Sequence, residues 1–341
     1  NASLQRPVKL RVKGWIKVGE PAGLKVEAGE AVKVDTGSML PEGCDAVVMV
    51  EYTKQQGEWI EVYRAVAPGE NVVRKGSEAV KGSKLLSRGV RLTPRLLGLL
   101  ASVGMREVEV VVKPRVAVAS TGVELVEPGR PLREGAVYDV NSTTLSAMAR
   151  EAGCEVVELG IIPDDIEALA EAIHRAASMG DLVLLSGGTS KGEGDLLPRA
   201  LSSLPEARLL AHGLALKPGK PTVVALVAGK PLIGLPGNPT SAMAVFHVLV
   251  KPLINAMMGG LDGEEARAVK AKMGVKAYSV KGRRELMFVK LSGAGEELKA
   301  YPMPTGSEAV STYARAHGYI DIPEEVEILD EGEPVVVHLL S

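Results

Sequence analysis

Cysteine, aromatic side chains and net charge are all scarce in this 341-residue chain, and the first and last of these shortages each exclude something. The two cysteines, Cys44 and Cys154, stand in distant segments, so neither a disulfide framework nor a Cys-based zinc site is indicated. A net charge of −2 gives no electrostatic case for nucleic acid or an anionic membrane. No apolar run reaches membrane-spanning length and no signal-peptide pattern is visible, so the expected location is the cytoplasm, without a membrane or nucleic-acid partner. Neither a Walker A sequence nor GxGxxG occurs, which weighs against nucleotide hydrolysis and dinucleotide binding. The histidines (174, 212, 247, 317, 338) are scattered and no Ser/His/Asp order stands out. The first residue is Asn1 and not Met, so further residues are expected upstream. Scarce Asn and Gln beside abundant Val, Ala, Leu, Lys and Glu lean toward heat adaptation.

What is present falls into segments. Residues 1–90 alternate short apolar runs (VKLRVKGWIKV, AVVMVE, EWIEVYRAV) with Pro/Gly turns and read as a β domain. Residues 91–112 form a connector. Its helix is marked by Thr93 as N-cap, Pro94 at the first position and Gly104 at the end. Over 113–262 strand and helix alternate at short spacing: RVAVAST, TTLSAMAREAG, EVVELGII, DDIEALAEAIHRAASMG, DLVLLS, LLPRALSSL, TVVALVA, KPLIGLPG and a long helix from Pro239. That alternation predicts an α/β fold with a central doubly wound, mostly parallel sheet. Residues 263–341 return to short strands and read as a small C-terminal β domain, barrel-like in type.

In an open α/β sheet, ligands bind beyond the C-terminal strand ends. The sequence places there Glu124, the Asp139–Ser142 run, Asp164 and Asp165, Ser186-Gly187-Gly188-Thr189-Ser190, Asp195, the Lys217 and Lys220 loop, and Pro236-Gly237-Asn238. Lysines and glycine N–H groups suit a phosphate, and acids suit a hard cation such as Mg²⁺. Plainer roles stand beside these. Asp139, Asp164, Asp165 and Asn238 are all good helix caps, and the lysines are also compatible with a solvated loop.

Taken together, SGGTSKGEGD (186–195), KPGKP (217–221), GLPGNP (234–239), STGVEL (120–125) and YDVNS (138–142) resemble the molybdopterin molybdenumtransferase family, of which the C-terminal half of gephyrin is a relative. TGSMLPEGCDAVVMVE (36–51), VVRKGSE (72–78), GRRE (282–285) and PTGSEAVSTYARAHGYIDIP (304–323) extend the resemblance over nearly the whole chain in the expected order. It implies a molybdopterin-binding type of sheet domain and insertion of molybdenum or tungsten, from molybdate or tungstate, into adenylylated molybdopterin, with release of AMP and help from Mg²⁺. It also implies an elongated homodimer, with molybdopterin adenylyltransferase as a further partner. Glu124, Asp164 and Asp195 match the family's acidic positions for metal or molybdate. Lys217 and Lys220 match lysines of the anion site, Thr36 a threonine of the β domain, and Ser307 the serine of a C-terminal Gly-Ser pair. The chain departs from the family pattern at Val123, Arg74, Glu78 and Gly213, and the resemblance begins just downstream of the family's N-terminal helical segment with its DGYA motif. Two other readings stay open: a pterin-binding scaffold without turnover, and adenylyl transfer to molybdopterin.

Overall fold

The structure is a computed structural model, and it describes residues 2–189, 196–260, 267–303 and 310–340. It divides into two compact units, residues 1–87 and 88–341.

In the first unit, β1 (Val8–Ile16), β2 (Glu30–Val34), β3 (Thr53–Gln56) and β4 (Trp59–Val62) form one sheet in the order β2-β1-β4-β3. The run AVVMVE, expected as a strand, is not one. It is a loop running into a 3-10 turn at Val50–Tyr52. Its backbone is satisfied by single bonds, Val47 N–H to the Glu70 carbonyl and Asn71 Nδ2 to the Val47 carbonyl, in place of a ladder.

The second unit opens with α1 (Pro94–Ser102), where Thr93 holds the N-cap position and Pro94 the first turn, although the threonine side chain makes no cap bond. There follow β5 (Arg115–Thr121), the short pair β6 (Leu125–Val126) and β7 (Val137–Tyr138), α2 (Val140–Glu151), β8 (Glu155–Ile162), α3 (Ile166–Met179), β9 (Leu182–Ser186) and α4 (Leu196–Ser203). Next come β10 (Ala207–His212), β11 (Leu216–Lys217), β12 (Val223–Val227) and β13 (Lys230–Leu235). The central sheet has the order β10-β12-β13-β9-β5-β8. β13, β9, β5 and β8 pair in parallel, while β12 runs antiparallel to both its neighbours. β12 is thus the one reversed strand of this sheet, so its N-terminal end lies on the rim where its neighbours end.

The apolar run of β9 is explained by burial on both faces. Leu182 and Leu184 join a core with Val116, Val118, Leu145, Ile233 and Phe246. Val183 and Leu185 point the other way, into a core with Ala117, Leu169, Ile173, Leu197 and Leu232. α2 and the segment after β13 cover the first face, and α3 and α4 the second.

That last segment is α5 (Pro239–Val245), a π-helical turn (Phe246–Val250) and α6 (Lys251–Met257). The widened turn stands directly before Pro252, whose ring and missing N–H cannot serve a regular α-helical ladder. Contrary to the expectation that no run is long enough, Pro239–Met257 is a 19-residue helix with the length and apolarity to cross a membrane. Here Ala242, Val245, Phe246, Val250 and Ile254 are each at most 1 % exposed against the sheet, which is the reason for its apolar composition.

The chain then forms β14 (Ala268–Met273), β15 (Ala277–Tyr278), β16 (Arg284–Ser292), β17 (Lys299–Pro302), α7 (Val310–Arg315), β18 (Gly318–Ile322), β19 (Ile328–Leu329) and β20 (Pro334–Leu339). Strands β16-β17-β14-β20-β18 close into a five-stranded barrel through the β16–β18 pairing. β11 adds to its edge, parallel to β16. Leu286 and Phe288 of the barrel share the first core of the sheet domain.

Where they meet, His247 of the π-helical turn lies 2.9 Å from the Tyr313 hydroxyl of α7 and within 5.7 Å, ring to ring, of Tyr319. Burial, and then the charge of Lys251, depress the His247 pKa to about 4, and burial pushes the Tyr313 phenol up to about 12. The unfolded chain protonates this histidine near its ordinary value of 6.5, so between 6.5 and about 4 the unfolded state binds more protons. Stability is therefore expected to fall as pH drops through that window, by up to ~2–3 kcal/mol. Thermal melts at pH 7 and pH 4.5 should show the loss, and His247→Gln should remove this contribution. Truncating the wholly buried Leu184 to Ala should destabilise the second unit by about 2–5 kcal/mol, read as a lower Tm.

Candidate functional site

The site is built on the strand ends of the central sheet. β9 ends at Ser186, and Gly187 follows with φ +98°. A Cβ at Gly187 would collide with the carbonyl oxygen of Thr121, so the close approach of the β9 and β5 ends requires glycine there. The Gly187 N–H donates to the Leu235 carbonyl at 3.0 Å. The glycine-rich turn in the sequence suggests this N–H for a phosphate. The structure spends it on joining β9 to β13, and Gly187 acts through its conformation. Gly188 also has positive φ (65°), and its carbonyl accepts from Leu197 N–H at the start of α4.

Asn141 ties this turn to its neighbours. It sits in the first turn of α2, 6 % exposed, and its Nδ2 donates to Ser186 Oγ (2.6 Å) and to the Gly237 carbonyl (2.7 Å). Its Oδ1 is buried without a hydrogen-bond partner among the described residues. The YDVNS run does not by itself single out Asn141. A polar residue at the second position of a helix reads as cap chemistry, and nothing local reveals the two turns it spans. Asp139 is the cap: it accepts from Ser142 N–H (3.0 Å) and from Ser120 Oγ (2.9 Å), and is 4 % exposed.

Two adjacent aspartates divide their work. Asp165 caps α3, accepting from the N–H groups of Glu167 and Ala168. Asp164 is thereby left to accept a hydrogen bond from Thr121 Oγ1. The carboxylate of Glu124 folds back over Gly122. Both Asp164 and Glu124 are exposed, and both lean on the Thr121–Gly122 step at the end of β5. Among the described residues no cluster of three or more potential metal ligands occurs. Two exposed carboxylates suit a cation that keeps waters or substrate phosphates for its remaining positions.

The lysines reach the rim by a different route. Because β12 is reversed, residues 213–222 enter it at the rim. Lys220 is exposed there. Lys217 belongs to β11, on the barrel edge, and its Nζ lies 3.0 and 3.2 Å from the two carboxylate oxygens of buried Glu285. Pro236 is buried, its carbonyl facing Ser186 Oγ at 3.4 Å. Asn238 is exposed at the N-cap of α5, without a side-chain cap bond. Thr36 is exposed in the first unit. Ser190, Asp195 and Ser307 lie outside the described residues.

Beside the start of α2 is a cavity of about 460 Å³ lined by Pro128, Gly129, Tyr138, Asp139, Val140, Thr143 and Thr144. A second cavity, about 500 Å³, lies on the barrel around Arg284, whose guanidinium is already held by both oxygens of Asp321.

An open α/β sheet with carboxylates, glycine turns and lysines on one rim defines a protein that handles an anionic ligand. Comparison with known proteins narrows the class. Residues 2–104 match the MoeA N-terminal region (domains I and II), 117–256 a probable molybdopterin binding domain, and 270–340 the MoeA C-terminal region (domain IV). The molybdopterin molybdenumtransferase of Haemophilus influenzae is 34% identical over 348 residues, covering 100% of this chain and 85% of the relative. That of Bacillus subtilis is 33% identical, covering 99% and 80%. A solved MoeA protein of Pyrococcus horikoshii superposes with a TM-score of 0.81 at 40% identity, over 99% of this chain and 83% of that one. The chain belongs to the molybdopterin molybdenumtransferase (MoeA) family.

Asn141→Ala would leave Ser186 and the Gly237 carbonyl without their shared donor. We expect it to cost about 1–3 kcal/mol, measured as a lower Tm than that of the parent chain.

Proposed function

We propose that this chain transfers molybdenum, or tungsten, from its oxyanion to adenylylated molybdopterin and releases AMP, as a transferase of molybdenum cofactor biosynthesis. The observation that carries the reading is the gathering of Asp164, Glu124 and the lysine segment on one rim, in a chain matched along its whole length by relatives named molybdenumtransferases.

In this reading the chain's own groups divide the work. Lys220, exposed on the rim, attracts the oxyanion and the phosphates, and Lys217 donates a hydrogen bond to them. The cavity beside Tyr138 and Val140 has the size and lining for a flat heterocycle. Gly187 and Asn141 hold the strand ends in register, so that ligands bound to different turns meet in a fixed geometry. Glu124 and Asp164 would hold Mg²⁺, which when bound neutralises phosphate charge. Asp195 joins them on the grounds of its sequence match. We further read the chain as a cytoplasmic homodimer that receives its substrate from molybdopterin adenylyltransferase.

The test is AMP release from adenylylated molybdopterin, with molybdate and with tungstate. We expect release to depend on the oxyanion. Glu124→Gln and Asp195→Ala should keep pterin binding and lower the release rate by roughly 10²-fold. Binding without release would instead describe a scaffold, and ATP consumption without molybdate would describe adenylyl transfer.

A further inference from the structure

Lys217 does not face the rim as a free charge. It stands opposite Glu285 in the two-residue parallel pairing of β11 with β16, which is fastened by Arg284 N–H to the Ala215 carbonyl at 3.0 Å. The Glu285 side chain is 5 % exposed and the Lys217 side chain 37 %. Both Glu285 oxygens lie within 3.2 Å of Nζ, and Ser279 Oγ donates to Oε2 at 2.7 Å. A carboxylate this deep needs such partners, because a buried charge left alone is costly. The ammonium has three donors, and the partly exposed lysine can turn one of them toward solvent.

We propose that Glu285 is a positioning residue that sets how strongly Lys217 holds a tetrahedral oxyanion. This rests on the reading of Lys217 as part of the anion site. The buried carboxylate competes with the incoming anion for the ammonium. Lys217 therefore gives a directed hydrogen bond with little net attraction, while Lys220, exposed and in no ion pair among the described residues, supplies charge. The arrangement weakens oxyanion affinity and eases release of the anionic product. Glu285 belongs to the barrel and Lys217 to the segment feeding β12, so a barrel residue acts on a group at the sheet's rim through Lys217.

The test is calorimetric titration of the whole chain with sodium molybdate and, separately, with AMP, which asks whether the free oxyanion or the phosphate ester sits at Lys217. Glu285→Gln keeps the shape and removes the charge, and should tighten binding of at least one of the two by roughly fivefold. Ser279→Ala leaves the carboxylate more dependent on Lys217 and should weaken binding of the same ligand. In a Lys217→Met background both effects should vanish. A purely structural role would not produce opposite signs that both depend on Lys217. If Glu285→Gln does not fold, Ser279→Ala with and without Lys217→Met decides. Weaker or unchanged binding in Glu285→Gln, or effects that persist without Lys217, would overturn the proposal. If Lys217→Met alone binds both ligands as the parent does, the placement of Lys217 in the anion site falls, and this proposal with it.

Discussion

One buried carboxamide holds the working edge of this molecule together. Asn141 comes from the helix after β5, and its amide hydrogens reach a hydroxyl at the end of β9 and a carbonyl after β13. Strand ends are otherwise the least constrained part of a sheet, since the ladder stops there. Here they are cross-braced by a side chain protected from water, where a hydrogen bond is hard to replace. Gly187 makes the brace feasible, because any larger residue would force β9 away from Thr121. The carboxylates at Asp164 and Glu124 are placed relative to that same threonine and the glycine after it, so their positions depend on this bracing.

Much of this was legible in the sequence where burial is two-sided. RVAVAST is the observed strand to the residue, because a continuous buried run between polar ends leaves little choice of boundary. EVVELGII, a half-buried edge strand interrupted by Glu158, also matches to the residue, and there Gly153 before it and Pro163 after it mark the ends. β10 was not foreseen: its Arg208, Leu209 and Leu210 are exposed at the edge of the sheet, and no burial pattern marks them. AVVMVE failed in the opposite sense, as an apolar run with β-branched residues that finds no strand to pair with. Helix starts drifted by a few residues. α2 begins three residues before the expected Thr143, because Asp139 is the residue that caps it.

The site was legible by residue type and less so by partnership. Acids and lysines were expected on one rim, and the reversed β12 brings the lysine segment there. That Lys217 is bound to Glu285, 68 residues later in the chain, is a product of barrel closure that no local pattern carries. The division between Asp164 and Asp165 also needed the fold: two neighbouring aspartates before a helix look alike until one is seen to cap it. The glycine turn showed the converse, since a motif that suggests N–H donors for a ligand uses one of them internally.

The pairing of β11 with β16 has a consequence for how this chain can change. Lys217 meets Glu285 in one register only, so any change of length between His212 and Leu216 that slid β11 along β16 would put another residue opposite the buried carboxylate. A change taken up within the loop leaves the ion pair as it is. This connection is therefore free to vary in length only while the two-residue strand after it keeps its place on the barrel edge.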